Sequence, residues 1–318
     1  MVLARPAPRV AVTGAMGYLG RALCAALTVQ GIGCVPLARS NVGDLALAEP
    51  HVLATLLAGC DAVVHLAGRA HVASDDAAAR ARLALDNVEA ARRVATAAVL
   101  ARVPRFLFAS SVKVNGEGTR PGRPFRTTDA PAPVGAYAHS KLAAEARVRE
   151  AVAGSTTALA ILRLPLVYGP RAPANFARLV AAVRGRWPLP LAAVDNRRHL
   201  LALSNLTEAI ARAVVLPQAL AGTYFVADDG SISTPALVRA IAASVGVRPR
   251  LFALPVPLLR VAGSLTGHRA MIERLVGSLE VDIEPLVAGL GWRPRPFGFA
   301  PGDPWEPREG TEAPRGGR

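Results

Sequence analysis

Lysine is nearly missing from this chain. Of its 37 basic residues only Lys113 and Lys141 are lysines, and all the others are arginines. Cysteine is almost as scarce, with Cys24, Cys34 and Cys60 alone. An odd number without paired metal-ligand spacing excludes a disulfide framework and a zinc site, so these read as apolar fillers in a reducing cytoplasm. No apolar run approaches the ~20 residues that cross a bilayer. The segment Met1 to Pro8 lacks the apolar core and cleavage pattern of a signal peptide. The expectation is therefore a cytoplasmic protein with no membrane span. Acidic residues are outnumbered, 23 against 37, which leaves a formal charge of +14. A basic protein can bind nucleic acid, but here the arginines are scattered, with no basic block and few aromatics between them. No nucleic-acid partner is expected. The surplus charge would still attract a small polyanionic substrate.

What the chain does have is core-forming material. It is 318 residues long and 52% apolar, enough for one large or two modest domains. Short apolar runs alternate with alanine-rich helical stretches. Val10–Thr13, Cys34–Leu37, Ala62–Leu66, Arg105–Ala109 and Leu159–Arg163 read as strands. Helices are expected to about Gln30, from Ala77 to Ala101, and across the stretch that carries Tyr137. This rhythm predicts an α/β fold, a Rossmann-type doubly wound parallel sheet. After about Gly169 the rhythm loosens and prolines cluster. The expected organisation is a dinucleotide-binding domain over residues 1–169, to which some later segments return. A smaller mixed substrate lobe follows over 170–300, then a disordered tail over 301–318. Ser233-Thr234-Pro235 marks a helix start within the lobe.

The first strand runs into Thr13-Gly14-Ala15-Met16-Gly17-Tyr18-Leu19-Gly20. Glycine at position 14 suits a tight turn, at 17 a close approach to a pyrophosphate, and at 20 close helix–strand packing. The following helix start offers N–H groups to phosphates. Dinucleotide sites usually carry an acidic side chain after the second strand to hold the ribose 2′-OH. This chain has Ala38-Arg39, which favours a 2′-phosphate, and so NADP over NAD. Asp44 and Leu45 lie just beyond, and Asp61 is a further candidate for the adenine edge.

Tyr137 and Lys141 stand four apart in Tyr-Ala-His-Ser-Lys. Tyrosine ionises near pH ~10, too high for acid/base work at neutral pH. An ammonium one helical turn away lowers that value. Lysine is a compact charge and arginine a broad fork, so the arginine used almost everywhere else in this chain would not serve here. Ser110-Ser111 ends the fourth strand, and Ser111 can hydrogen-bond the oxygen that Tyr137 protonates. Lys113, two residues on, either touches substrate or cofactor or pairs with a loop carboxylate. His65 and His139 have no metal-ligand spacing, and no metal is expected.

Taken in order, these motifs resemble the extended short-chain dehydrogenases/reductases that act on nucleotide sugars. The set comprises Gly14-x-x-Gly17-x-x-Gly20, His65-Leu66-Ala67-Gly68, Asn87-Val88, Ser110-Ser111-Val112-Lys113-Val114-Asn115-Gly116 and Tyr137-x-x-x-Lys141. It continues with Leu162-Arg163-x-x-x-Val167-Tyr168-Gly169-Pro170 and Leu290-Gly291-Trp292-x-Pro294. The branch most similar is the UDP-glucose 4-epimerase-like one, which includes reductases of 4-keto sugars. The resemblance implies Ser111, Tyr137 and Lys141 as catalytic residues. For the cofactor, NAD(P), it implies Met16, Tyr18, Leu19, Leu66, Ala67, Gly68, Ala109 and Pro165 beside the glycine loop and Arg39. For a nucleotide-sugar substrate, UDP-linked and N-acetylated in one version, it implies Lys113, Asn175, Arg198 and Arg274. It also implies a homodimer formed through the helices near 85–101 and 137–152. Related 4,6-dehydratases carry Asp-Glu after the catalytic hydroxyl residue, where this chain has Val112-Lys113, so dehydration is not expected. The alternative is a non-catalytic NADP-sensing or partner-binding protein on the same fold.

Overall fold

Alternating apolar runs and helical stretches become a parallel sheet whose central strands are buried on both faces. A computed structural model describes residues 7–70 and 76–299. The tail expected to be disordered, 301–318, lies outside the described residues. The strands are β1 (Arg9–Thr13), β2 (Gly33–Leu37), β3 (Ala62–His65), β4 (Arg105–Ser111) and β5 (Ala158–Leu164). After the two-residue β6 (Val167–Tyr168), β7 (Pro188–Leu189) and β8 (Leu201–Ala202) comes β9 (Gly222–Phe225). The main sheet has the order β2-β1-β3-β4-β5-β9, with every pair parallel. β9 shows that a segment from the second half returns to the first sheet. The sheet is the expected Rossmann-type α/β fold.

Helices cover both faces. α1 (Tyr18–Val29), α8 (Leu203–Val215) and α12 (Glu284–Leu290) close one face over Val10, Val12, Val64 and Leu107. On the other, α3 (Pro50–Leu57), α5 (Ala90–Leu100) and α6 (Gly135–Val152) close over Ala11, Val63, Phe106 and Phe108. The short α2 (Arg39–Val42) follows β2 directly. α4 (Ala77–Leu83) starts on Asp76, whose side chain accepts from Ala79 N at 2.8 Å. The helix expected from Ala77 to Ala101 is interrupted by a π-helical turn over Ala84–Glu89. Asn87, within that turn, is buried on the same face as Leu83 and Ala91.

A second core lies beyond the sheet, around Tyr168, Phe176, Leu191, Leu237 and Val276. α7 (Ala174–Arg184), α9 (Thr234–Ser244), α10 (Val256–Leu265) and α11 (Arg269–Val276) build it. The expected start at Ser233 is its N-cap, accepting from Ala236 N at 3.3 Å, with Pro235 in the first turn. Two short parallel pairs stiffen this part, β6 with β8, and β7 with β10 (Arg250–Leu251).

Candidate active site

The strand order reverses at β1 and β3, and parallel sheets bind ligands outside the carboxyl ends at such a point. The loops after β1, β2 and β3 meet there around a cavity of about 430 Å³. Of the expected cofactor residues, Gly14, Met16, Gly17, Arg39 and Asp44 line it. Leu45, Leu66, Ala67 and Gly68 line it as well. Gly14 has φ +67°, and a Cβ on it would lie 2.8 Å from Ala67 N. Gly17 N donates to Gly14 O at 2.8 Å, closing the turn. A Cβ on Gly20 would overlap Gly14 O and lie 2.7 Å from Ala15 Cα. Each of the three glycines therefore keeps backbone close to backbone, and the turn opens directly onto α1. A cradle without side chains at a helix N-terminus fits a dinucleotide pyrophosphate.

Tyr18 and Leu19 are not among the side chains that line the cavity. Both are half-buried, Tyr18 packed against the second core and Leu19 against the first. What this segment presents to the cavity is backbone. Asp61 precedes β3 at its amino end, where it accepts from Arg9 N at 2.8 Å. It is therefore at the opposite edge of the sheet from the cavity and cannot face an adenine there.

Arginines gather at the cavity's outer rim. Arg39 lies 3.5 Å from Asp44, and its side chain is 69% exposed. Arg82 bridges Asp44 at 3.9 Å and Asp86 at 3.0 Å, and Arg69 reaches Asp86 at 2.8 Å. Arg69 and Asp86 were not expected in the site. They come from a loop and a helix that no motif spacing connects.

Further along the carboxyl edge, β4 ends in Ser111 and α6 brings Tyr137 and Lys141 beside it. Lys141 is buried, and its Nζ donates to Ala109 O at 2.8 Å and sits 4.9 Å over the Phe108 ring. Burial pushes its pKa down to about 8, against the pull of Glu145. Tyr137 is raised by burial, and a hydrogen bond with Ser111 works against that rise. Ser111 thus works in favour of the phenolate, while the Lys141 ammonium is aimed at Ala109 O. A Cβ on Gly68 would lie 3.6 Å from Lys141 Nζ, so the cavity's loop runs straight to the lysine. Pro165 is buried at the carboxyl end of β5, whose Leu164 pairs with Ser111.

Buried polar groups hold this arrangement. Asn87, in the π turn, accepts from Arg69 N at 2.6 Å and donates to Arg69 O and Ser140 Oγ at 3.0 and 2.9 Å. It ties the cofactor loop to the helix of Tyr137. Glu145 accepts from Ser110 Oγ at 2.6 Å, and from Arg163 Nε and Nη2 at 2.9 and 2.7 Å. Arg163 Nη1 donates to Asn115 Oδ1 at 2.8 Å. His65, flanked by Phe106 and Phe108, contacts Thr13 Oγ1 at 2.9 Å and is held neutral, its pKa pushed down to about 3 by burial. His65, Asn87, Ser110, Asn115 and Arg163 all fall within the motifs of the sequence, whereas Glu145 was missed, its only signal being the i+4 step from Lys141. His139 is exposed, with its ring on Gly135 O at 3.0 Å. Among the described residues no His, Cys, Asp or Glu cluster could hold a metal.

The expected substrate residues divide. β4 does not continue past Ser111. A 3₁₀ turn over Val112–Val114 follows, because Ser111 Oγ accepts from Lys113 N at 3.3 Å and turns the chain. Lys113 Nζ pairs with Glu117 at 2.7 Å, which is the loop-carboxylate alternative. Arg198 is half-buried and donates to Gly277 O at 2.7 Å, with Glu117 and Arg274 both acting on its charge. Asn175 is exposed in the first turn of α7, and no hydrogen bond or ion pair ties it to these groups among the described residues.

Known proteins agree with this architecture. The model of the "NAD dependent epimerase/dehydratase family" matches residues 10–226. A UDP-glucose 4-epimerase of Vibrio cholerae is 34% identical over 300 residues, covering 90% of this chain and 90% of its own. Among solved structures, MoeE5 in complex with UDP-glucuronic acid and NAD is similar, with a TM-score of 0.71 and 25% identity. That match covers 90% of this chain and 94% of the other. A UDP-N-acetylglucosamine 4-epimerase from Bacillus cereus has the same fold, with a TM-score of 0.72 at 19% identity over 90% and 91% of the two chains. With its glycine cradle, its Tyr-x-x-x-Lys helix and a family match over most of its length, this chain belongs to the NAD-dependent epimerase/dehydratase family, as an extended short-chain dehydrogenase/reductase.

Proposed function

We propose that this protein catalyses reversible redox chemistry at C4 of a UDP-sugar, as a 4-epimerase or 4-ketoreductase using NAD(P). The observation that carries the reading is the meeting of Ser111, Tyr137 and Lys141 where the cofactor loop reaches Lys141 through Gly68. When bound, the nicotinamide supplies the hydride chemistry. Tyr137 exchanges the proton of the C4 oxygen, and Ser111 donates a hydrogen bond to the same oxygen. Lys141, fixed by Ala109 O and the Phe108 face, supplies positive charge beneath the reacting groups and a donor for ribose hydroxyls. Arg198 and Arg274 stand ready for the diphosphate, since guanidinium forks match phosphate oxygens. Arg39 at the rim supports NADP, and an exchangeable NADP suits a reductase. The likeness to the Vibrio cholerae UDP-glucose 4-epimerase supports an epimerase. A homodimer through α5 and α6 belongs to the same proposal.

The test is incubation of purified protein with UDP-sugars and UDP-4-keto sugars, with and without NADPH. Epimer formed without added cofactor selects the epimerase. NADPH consumed only with a keto sugar selects the reductase. If neither occurs while the cofactor binds, the enzymatic reading fails and the sensor alternative stands. Tyr137→Phe should lower either activity by about 10²–10⁴-fold.

A further inference from the structure

Two charged side chains between Ser111 and Arg198 take no part in the chemistry above. Lys113 lies two residues beyond Ser111, with its amide on Ser111 Oγ at 3.3 Å and its Nζ on Glu117 Oε1 at 2.7 Å. The chain after Glu117 then presses on the strip that holds Arg198. Thr119 N donates to Ser278 O at 2.8 Å, and a Cβ on Gly118 would lie 3.0 Å from that same oxygen. Arg198 Nη1 donates to Gly277 O, next in the chain, at 2.7 Å. The electrostatics follow this geometry. Burial lowers the Arg198 pKa most, the Glu117 carboxylate raises it, and the Arg274 charge lowers it. Lys113, Glu117, Arg198 and Arg274 are therefore one connected group, reaching from the reacting residues to the arginine pair.

The charges of that group are unevenly matched. Lys113 is neutralised by Glu117 in direct contact. Neither Arg198 nor Arg274 makes a salt bridge among the described residues, which leaves two positive charges for the two negative charges of a pyrophosphate diester. A ligand spanning Tyr137 and the arginines lays its sugar beside the Lys113–Glu117 pair. A carboxylate on that sugar would find Lys113 already occupied and would face the charge of Glu117. Repulsion by the nearer carboxylate, partly offset by the Lys113 ammonium 2.7 Å from it, should weaken binding by about tenfold at this partly exposed position.

We propose that the Lys113–Glu117 pair is a charge filter that admits nucleoside diphosphate sugars with an uncharged ring and rejects hexuronates. This rests on the reading that Tyr137 and the Arg198 pair take opposite ends of a nucleotide sugar. Lys113 serves mainly to hold Glu117 in place, and its own charge is not available to the sugar.

Calorimetric titration of the full-length protein with UDP, UDP-glucose and UDP-glucuronate tests the idea. The wild type should bind UDP-glucose at least about tenfold more tightly than UDP-glucuronate. Glu117→Gln should narrow that gap about tenfold, mainly through tighter UDP-glucuronate binding. Lys113→Met, which leaves Glu117 unpaired, should widen it. Opposite shifts from two neighbouring substitutions cannot come from general misfolding. Equal wild-type affinities, preference for the uronate, or a gap that ignores both substitutions would overturn the filter while UDP binding keeps the nucleotide-sugar reading intact. Failure of UDP itself to bind would remove both.

Discussion

Arg163 on β5 grips both carboxylate oxygens of Glu145 on α6, at 2.9 and 2.7 Å, with both side chains almost wholly buried. Glu145 sits one helical turn beyond Lys141. The contact therefore sets how the helix bearing Tyr137 and Lys141 lies against the sheet. Ser110 and Asn115 complete the network at its two ends.

Glu145→Gln should be costly for that reason. Removing one partner of a buried ion pair leaves the other charge uncompensated, at about 3–5 kcal/mol. Urea unfolding should show a lower midpoint with an unchanged slope. Because Glu145 raises the Lys141 pKa, the alkaline limb of the activity profile should also move to lower pH. A stability loss with an unmoved limb would confine Glu145 to a structural role.

The pH dependence of Lys141 has opposite signs for activity and stability. Its pKa in the folded chain is about 8, below the ordinary 10.5. Activity that needs the ammonium should fall as pH rises through about 8. Between about 8 and 10.5 the unfolded chain binds more protons than the native one, so this group's contribution to stability should rise with pH there. Below about 8 both states are protonated and the contribution is flat. In Lys141→Met the alkaline rise should vanish, as measured by denaturation midpoints across that window.

Arg39→Ala should separate the two cofactors. Its exposed guanidinium can reach a 2′-phosphate but has little to offer a 2′-hydroxyl. Loss of one charge-assisted contact at an exposed position should weaken NADPH binding by about tenfold and leave NADH binding nearly unchanged. Fluorescence titration reads both. An equal loss for the two cofactors would make Arg39 a rim charge only.

Gly14→Ala should abolish tight cofactor binding. The residue has φ +67°, and the new Cβ would meet Ala67 N at 2.8 Å. Gly31 is the control, with φ +72° and nothing within 4 Å of a Cβ. Gly31→Ala should cost about 1–2 kcal/mol of backbone strain and leave the dissociation constant unchanged. Gly14→Ala should add at least about a tenfold loss of cofactor affinity to the same strain.

Much of this was legible from order and spacing alone. Gly14, Gly17 and Gly20 sit where a strand hands over to a helix, and the i+4 step of Tyr137 and Lys141 puts both on one helix face by periodicity. The parallel sheet followed from the alternation of apolar runs and alanine-rich helices. These are local properties, carried by neighbours a few residues apart.

Pairings across long stretches of chain were not legible. Asn87 reaches Arg69 and Ser140 across 18 and 53 residues of chain. Lys113 meets Glu117 because β4 stops at Ser111 and a 3₁₀ turn follows. Asp61 fell at the wrong end of its strand, since spacing alone does not say which edge of a sheet a loop occupies. By itself the sequence determined the family, the glycine turn and the shared helix of Tyr137 and Lys141, because backbone conformation and helical period encode them locally. Tertiary structure alone decided which charges are already spent on each other, among them Glu145 on Arg163 and Lys113 on Glu117. That depends on burial and on contacts between distant segments, which no spacing records.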